Sequence, residues 1–95
     1  MDLIKTQFSK YIVAGTLNYE QEFEVFDSFE EAHNYMTKLY NQEIHNAYLK
    51  WGDNEGLEED IERGDIIVEP KSVYIYDTGE GPLDITIHTV QFGLN

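Results

Sequence analysis

The chain has 95 residues, and 19 Asp and Glu against 6 Lys and Arg leave it a formal net charge of −13 at pH 7. With 41% hydrophobic and 14% aromatic residues it is too apolar for a disordered acidic tail, and its length suits a single acidic domain, 1–95, with one core. The absence of cysteine excludes disulfides, thiolate metal sites and a cysteine nucleophile, and the negative charge disfavours direct contact with nucleic acid or an anionic membrane surface.

The opening Met1-Asp2-Leu3-Ile4-Lys5 lacks the apolar stretch of a signal peptide, and no run approaches the roughly 18 apolar residues that span a bilayer, so a cytoplasmic protein is expected. Residues 8–16 (FSKYIVAGT) are rich in β-branched and aromatic types. After Leu17-Asn18-Tyr19, residues 20–26 (EQEFEVF) alternate Phe23 and Val25 with Glu22 and Glu24, which predicts a β-hairpin.

Ser28-Phe29-Glu30-Glu31 has the form of a capping box: the Ser28 side chain accepts from the backbone N–H of Glu31, whose carboxylate reaches back. Apolar residues then recur at Phe29, Ala32, Met36, Tyr40, Ile44, Ala47 and Trp51, a single stripe that predicts a long helix ending near Gly52. Trp51 is expected as a core plug at the end of that helix, and Tyr35, Tyr40 and Tyr48 as core or dimer contacts. In 53–63 (DNEGLEEDIER) Leu57 and Ile61 stand four apart, which fits a short second helix capped by Asn54 and closed by Gly64.

Three strands follow, over 66–68, 72–76 and 83–92, with Pro70 limiting the first and 77–82 (DTGEGP) turning between the last two. Leu83, Ile85 and Ile87 share one phase while Val90 and Phe92 share the other, which predicts a bulge near His88 or burial on both faces. The order β-β-α-(α)-(β)-β-β predicts an α+β fold: an antiparallel sheet of four to five strands with one long helix packed on one face.

Chemistry-bearing patterns are weak. His33 and His45 stand twelve residues apart on the predicted helix, too far for joint ligation of a metal. Counted from Asp53, a calcium loop fails at Leu57, Glu58 and Gly64, and Gly79-x-Gly81 lacks the lysine of a phosphate cradle. No catalytic residue, metal or cofactor is therefore expected, and an enzyme is the least favoured class.

The acidic residues fall in two blocks. Glu20, Glu22, Glu24, Asp27, Glu30 and Glu31 stand in a segment with no basic residue. Asp53, Glu55, Glu58, Glu59, Asp60, Glu62, Asp65 and Glu69 share theirs with Arg63 alone. On one face of a strand, Glu20, Glu22 and Glu24 recur every ~6.6 Å, close to two phosphate rises along one DNA strand, ~6.8 Å. Such a surface suits a basic groove that otherwise holds nucleic acid. Tyr19 in the hairpin turn, and Tyr74 and Tyr76 on one face of the final sheet, are expected as aromatic anchors.

In size, acidity and absence of cysteine, the chain looks like the small phage-encoded inhibitors that blunt restriction, CRISPR or DNA-repair enzymes by imitating DNA. That likeness implies a non-enzymatic inhibitor that binds a basic, nucleic-acid-binding protein partner. Two other classes fit the same composition: an immunity protein that neutralises a basic nuclease toxin, and a structural or assembly homodimer whose acidity only keeps it soluble.

Overall fold

The computed structural model of the chain describes residues 7–93, so Met1 to Lys5 lie outside the described residues. Strands β1 (Gln7–Leu17) and β2 (Glu20–Phe26) form the predicted hairpin. Its turn is tighter than the three residues expected: Leu17 pairs with Glu20, and Asn18 and Tyr19 alone turn the chain, both at positive φ, 52° and 71°. That is the twist two-residue hairpins favour; asparagine tolerates it well, and tyrosine adopts it at a cost.

Helix α1 (Phe29–Ala47) begins where the capping box predicts. Ser28 Oγ accepts from the Glu31 amide at 3.1 Å and donates to the Glu31 carboxylate at 3.0 Å, so the carboxylate grips the serine hydroxyl rather than the backbone. The helix ends four residues short of Trp51. Tyr48 leaves helical geometry, a 3-10 turn covers Leu49–Trp51, and Gly52 closes it in the left-handed region at φ 70°. Helix α2 (Asn54–Arg63) is capped by Asp53, whose carboxylate accepts from the Gly56 amide at 3.0 Å; Asn54, the expected cap, is its first residue.

Strands β3 (Ile66–Glu69), β4 (Ser72–Ile75) and β5 (Leu83–Gly93) complete a sheet of order β2-β1-β5-β4-β3, antiparallel throughout. The fold is α+β. Pro70 and Lys71 make the two-residue turn between β3 and β4, which suits a proline that has no N–H for the ladder. The β1–β5 register runs without a break from Gln7 opposite Gly93 to Leu17 opposite Leu83, so the bulge expected near His88 is absent. The two phases of β5 instead serve two faces: Leu83, Ile85 and Ile87 point at the helix layer, and Val90 stands half-buried on the other side. The Phe92 side chain lies outside the described residues.

The core sits between the sheet and α1. Ala32, Met36 and Ile44 pack against Val13, Val73, Ile75, Leu83, Ile85 and Ile87, all buried. Each large aliphatic side chain so enclosed contributes ~1.5–3 kcal/mol. Trp51 is outside this core with 71% of its surface exposed, which overturns its reading as a core plug. The 3-10 turn rotates it off the stripe; its indole N–H donates to the Asn46 carbonyl at 3.1 Å and the Lys50 ammonium lies 5.1 Å from its ring centre. Tyr48 fills the buried position at this end of the helix.

Candidate functional site

Direct pairing puts Glu20, Glu22 and Glu24 opposite Leu17, Gly15 and Val13, so all three belong to the sheet face that carries the helix. Helix α1 leaves β2 largely uncovered, and Glu20 and Glu24 are exposed. Glu22 is half-buried and accepts from the Tyr35 hydroxyl at 2.8 Å. Burial, then this hydrogen bond and the charges of Glu22 and Glu24, push the Tyr35 phenol up to about 12. Beneath them, the Phe26 and Tyr35 rings meet at 5.3 Å and anchor α1 to β2. Asp27 binds Lys10. Glu30 and Glu31 extend the exposed acidic row into the first turn of α1, where the helix dipole favours carboxylates. Among the described residues β2 pairs only with β1, so this row runs along a free sheet edge.

The second block lies at the other edge. Helix α2 packs beside β3, and Glu55, Glu58, Glu59 and Glu62 are exposed on it. Its other acidic residues serve the fold. Asp53 caps α2, and Asp60 accepts from the Tyr48 hydroxyl at 2.5 Å; burial first, and then this bond, raise the Tyr48 phenol. Arg63 binds Asp60 and, at 2.7 Å, Asp65; the Asp65 carboxylate chiefly holds its guanidinium above the usual arginine range. The blocks do not merge: β2 and β3 are opposite edges of a five-stranded sheet, ~19 Å apart at ~4.8 Å per strand.

Tyr19 is the most exposed of the three tyrosine anchors, 79% open at the hairpin tip. Tyr74 belongs to the sheet face away from α1, half-buried beside Ile67 and Asp84 and on the opposite side of the sheet from Glu20, Glu22 and Glu24, and Tyr76 is exposed just past β4.

Two features escaped the sequence reading. Glu43 is buried on α1 and accepts from the Asn18 side-chain amide at 3.0 Å, while the Thr78 hydroxyl donates to Gly81 O at 2.8 Å and stands 3.3 Å from Asn18 Oδ1. This network ties the hairpin tip and the β4–β5 loop to α1. Glu43 follows Tyr40 by three and precedes Ala47 by four, so its place on the apolar stripe was the available signal. The second is the direction of Phe23 and Val25, which face away from the helix and are 64% and 49% exposed.

Among the described residues no three His, Asp or Glu side chains gather in an array that holds a metal ion. No helix there is long and apolar enough to cross a membrane. Comparison with protein-family models, with curated proteins and with solved structures finds no match to this chain.

Proposed function

We propose that this chain is a non-enzymatic inhibitor that binds a basic protein partner and blocks its nucleic-acid-binding surface by presenting carboxylates where phosphates would lie. The observation that carries the reading is the acidic row at the β2 edge. Glu20 and Glu24 flank Glu22 on one face of a free edge strand, and Glu30 and Glu31 continue the row beyond it. Each i,i+2 step is ~6.8 Å in an antiparallel strand, a spacing that a Lys/Arg groove built for alternate phosphates accepts. The exposed glutamates of α2 offer a second contact on the far edge, suited to a groove wide enough to take the domain edge-on.

The test begins with a pull-down from host lysate and continues with nucleic-acid competition against the captured partner. Glu20→Gln with Glu24→Gln, and separately Glu58→Gln, Glu59→Gln and Glu62→Gln, neutralise exposed side chains and leave Glu22 to its Tyr35 bond. Each set is expected to weaken binding by at least about tenfold, roughly 1.4 kcal/mol, and to flatten its salt dependence. Wild-type affinity should fall steeply with salt, and DNA or RNA should displace the chain. A partner that holds both variant sets as tightly as wild type, at low and high salt alike, removes the acidic edges from the mechanism.

A further inference from the structure

We infer that the free edge of β2 takes an extended segment of a partner protein as a sixth strand of the sheet, a segment in which basic side chains alternate with apolar ones. This rests on the reading of the acidic row as a partner contact, and it names how the partner is held. Strand β2 has seven residues, of which only Glu22 and Phe26 are partly covered, and among the described residues its outer side meets no other strand. The far edge offers less, since β3 has four residues and α2 packs beside it.

The ladder fixes which backbone groups are free. The Asn18 amide donates to the Pro82 carbonyl at 2.9 Å, so even positions of β1 bond toward β5 and the odd ones, Leu17, Gly15, Val13 and Tyr11, bond toward β2. Their partners there are Glu20, Glu22, Glu24 and Phe26. Gln21, Phe23 and Val25 therefore turn their N–H and C=O groups outward, a row of donors and acceptors on which another strand assembles.

Side chains then select the strand. An antiparallel newcomer bonds to those three residues and sets its intervening residues opposite Glu22 and Glu24, in the pairs whose side chains stand closest. Lysine or arginine suits those places, because residues 20–31 hold six acidic residues and no basic one, and Glu20 and Glu24 are exposed. On the opposite face Phe23 and Val25 are exposed, and apolar side chains beside them cover both. The alternation of β2 is thus repeated, with charge reversed, in what binds it.

The same row turns away a second copy. Two β2 strands paired antiparallel about Phe23 set Glu22 of each copy opposite Glu24 of the other, and shifting the register by two residues sets Glu22 on Glu22 or Glu24 on Glu24. A compact basic surface reaches the carboxylates but leaves the outward backbone groups and the two apolar side chains unused.

The probe is the acetylated, amidated peptide Lys-Val-Lys-Val-Lys-Val-Lys, titrated into the full chain by calorimetry at low salt, where it should bind one to one. Its isomer Lys-Lys-Lys-Lys-Val-Val-Val, of equal charge, should bind at least about tenfold more weakly. N-methylation of two valines, whose N–H groups face β2, should cost at least about tenfold, while N-methylation of two lysines, whose N–H groups face solvent, should cost far less. In NMR spectra the alternating peptide should slow amide hydrogen exchange at Gln21, Phe23 and Val25. An alternating peptide that does not bind, that binds no more tightly than its isomer, or that loses no more from methylated valines than from methylated lysines, overturns the added strand. Failure of the acidic row itself is read separately, in the lysate partner: one released by Glu20→Gln with Glu24→Gln, while the peptides all bind alike, leaves attraction by charge and removes the strand pairing.

Discussion

Tyr35 shows how one side chain joins the fold to the acidic edge. Its phenol is held up to about 12, first by burial and then by the bond it donates to Glu22, against 10.0 for an unperturbed tyrosine. A raised folded pKa means the unfolded chain releases this proton first. The stabilisation is therefore whole below about pH 10 and is lost as pH rises through about 12. Tyr48, raised by burial and its bond to Asp60, shifts in the same direction. Urea melts of wild type and Tyr35→Phe between about pH 9 and 12 should converge. The variant starts lower by about 1 kcal/mol for the lost hydrogen bond, and the gap closes as wild type loses what the phenol contributed. A gap that stays constant across this range would show that the bond to Glu22 does not couple ionisation to folding.

At the scale of elements, β1 and β5 depend on one close approach. Gly15 adopts φ 150°, and a Cβ there would lie 1.9 Å from the Asp84 carbonyl oxygen, a backbone atom that cannot swing aside. Gly15→Ala must push apart the two longest strands at the centre of the sheet. A loss of roughly 3 kcal/mol or more is expected in denaturant titration, well above the ~1 kcal/mol typical of a single substitution, and a loss below about 1 kcal/mol would mean the strands separate freely. Neither this contact nor the open face was legible in the sequence, whereas much else was. The Ser28 cap, the alternation in β2 and the apolar phase of β5 are local patterns, and local patterns survive into the fold. Trp51 was misplaced because one non-helical residue, Tyr48, rotates everything after it off the stripe. Phe23 and Val25 defeat the pattern differently: alternation says that two faces differ but not which one a helix covers. The register settles that, since Phe26 and the glutamates share the phase of Val13.

For the whole molecule, the sequence shows how much acid each segment carries but not how far apart the segments end. Residues 20–31 and 53–69 become opposite edges because α1 crosses from β2 to the other side of the sheet before α2 and β3 begin. Repulsion therefore acts on two lengths, ~6.8 Å between alternate residues of a strand and ~19 Å between edges. Salt separates them, since the screening length is ~30 Å at 0.01 M, ~10 Å at 0.1 M and ~3 Å at 1 M. Raising sodium chloride from about 0.01 to 0.1 M should suppress repulsion between edges, and a further rise to about 1 M should suppress it within each edge. The melting temperature should rise in both intervals, by ~4–8 °C for each kcal/mol of repulsion relieved. Chloride is the salt to use, because sulfate strengthens apolar burial by exclusion and would raise the melting temperature of any protein. Adding Glu58→Gln, Glu59→Gln and Glu62→Gln should shrink the first interval, because one edge then carries less charge for the other to repel. A wild-type melting temperature that is flat or falling across both intervals would mean that the acidic edges are far enough into solvent to fold without electrostatic cost.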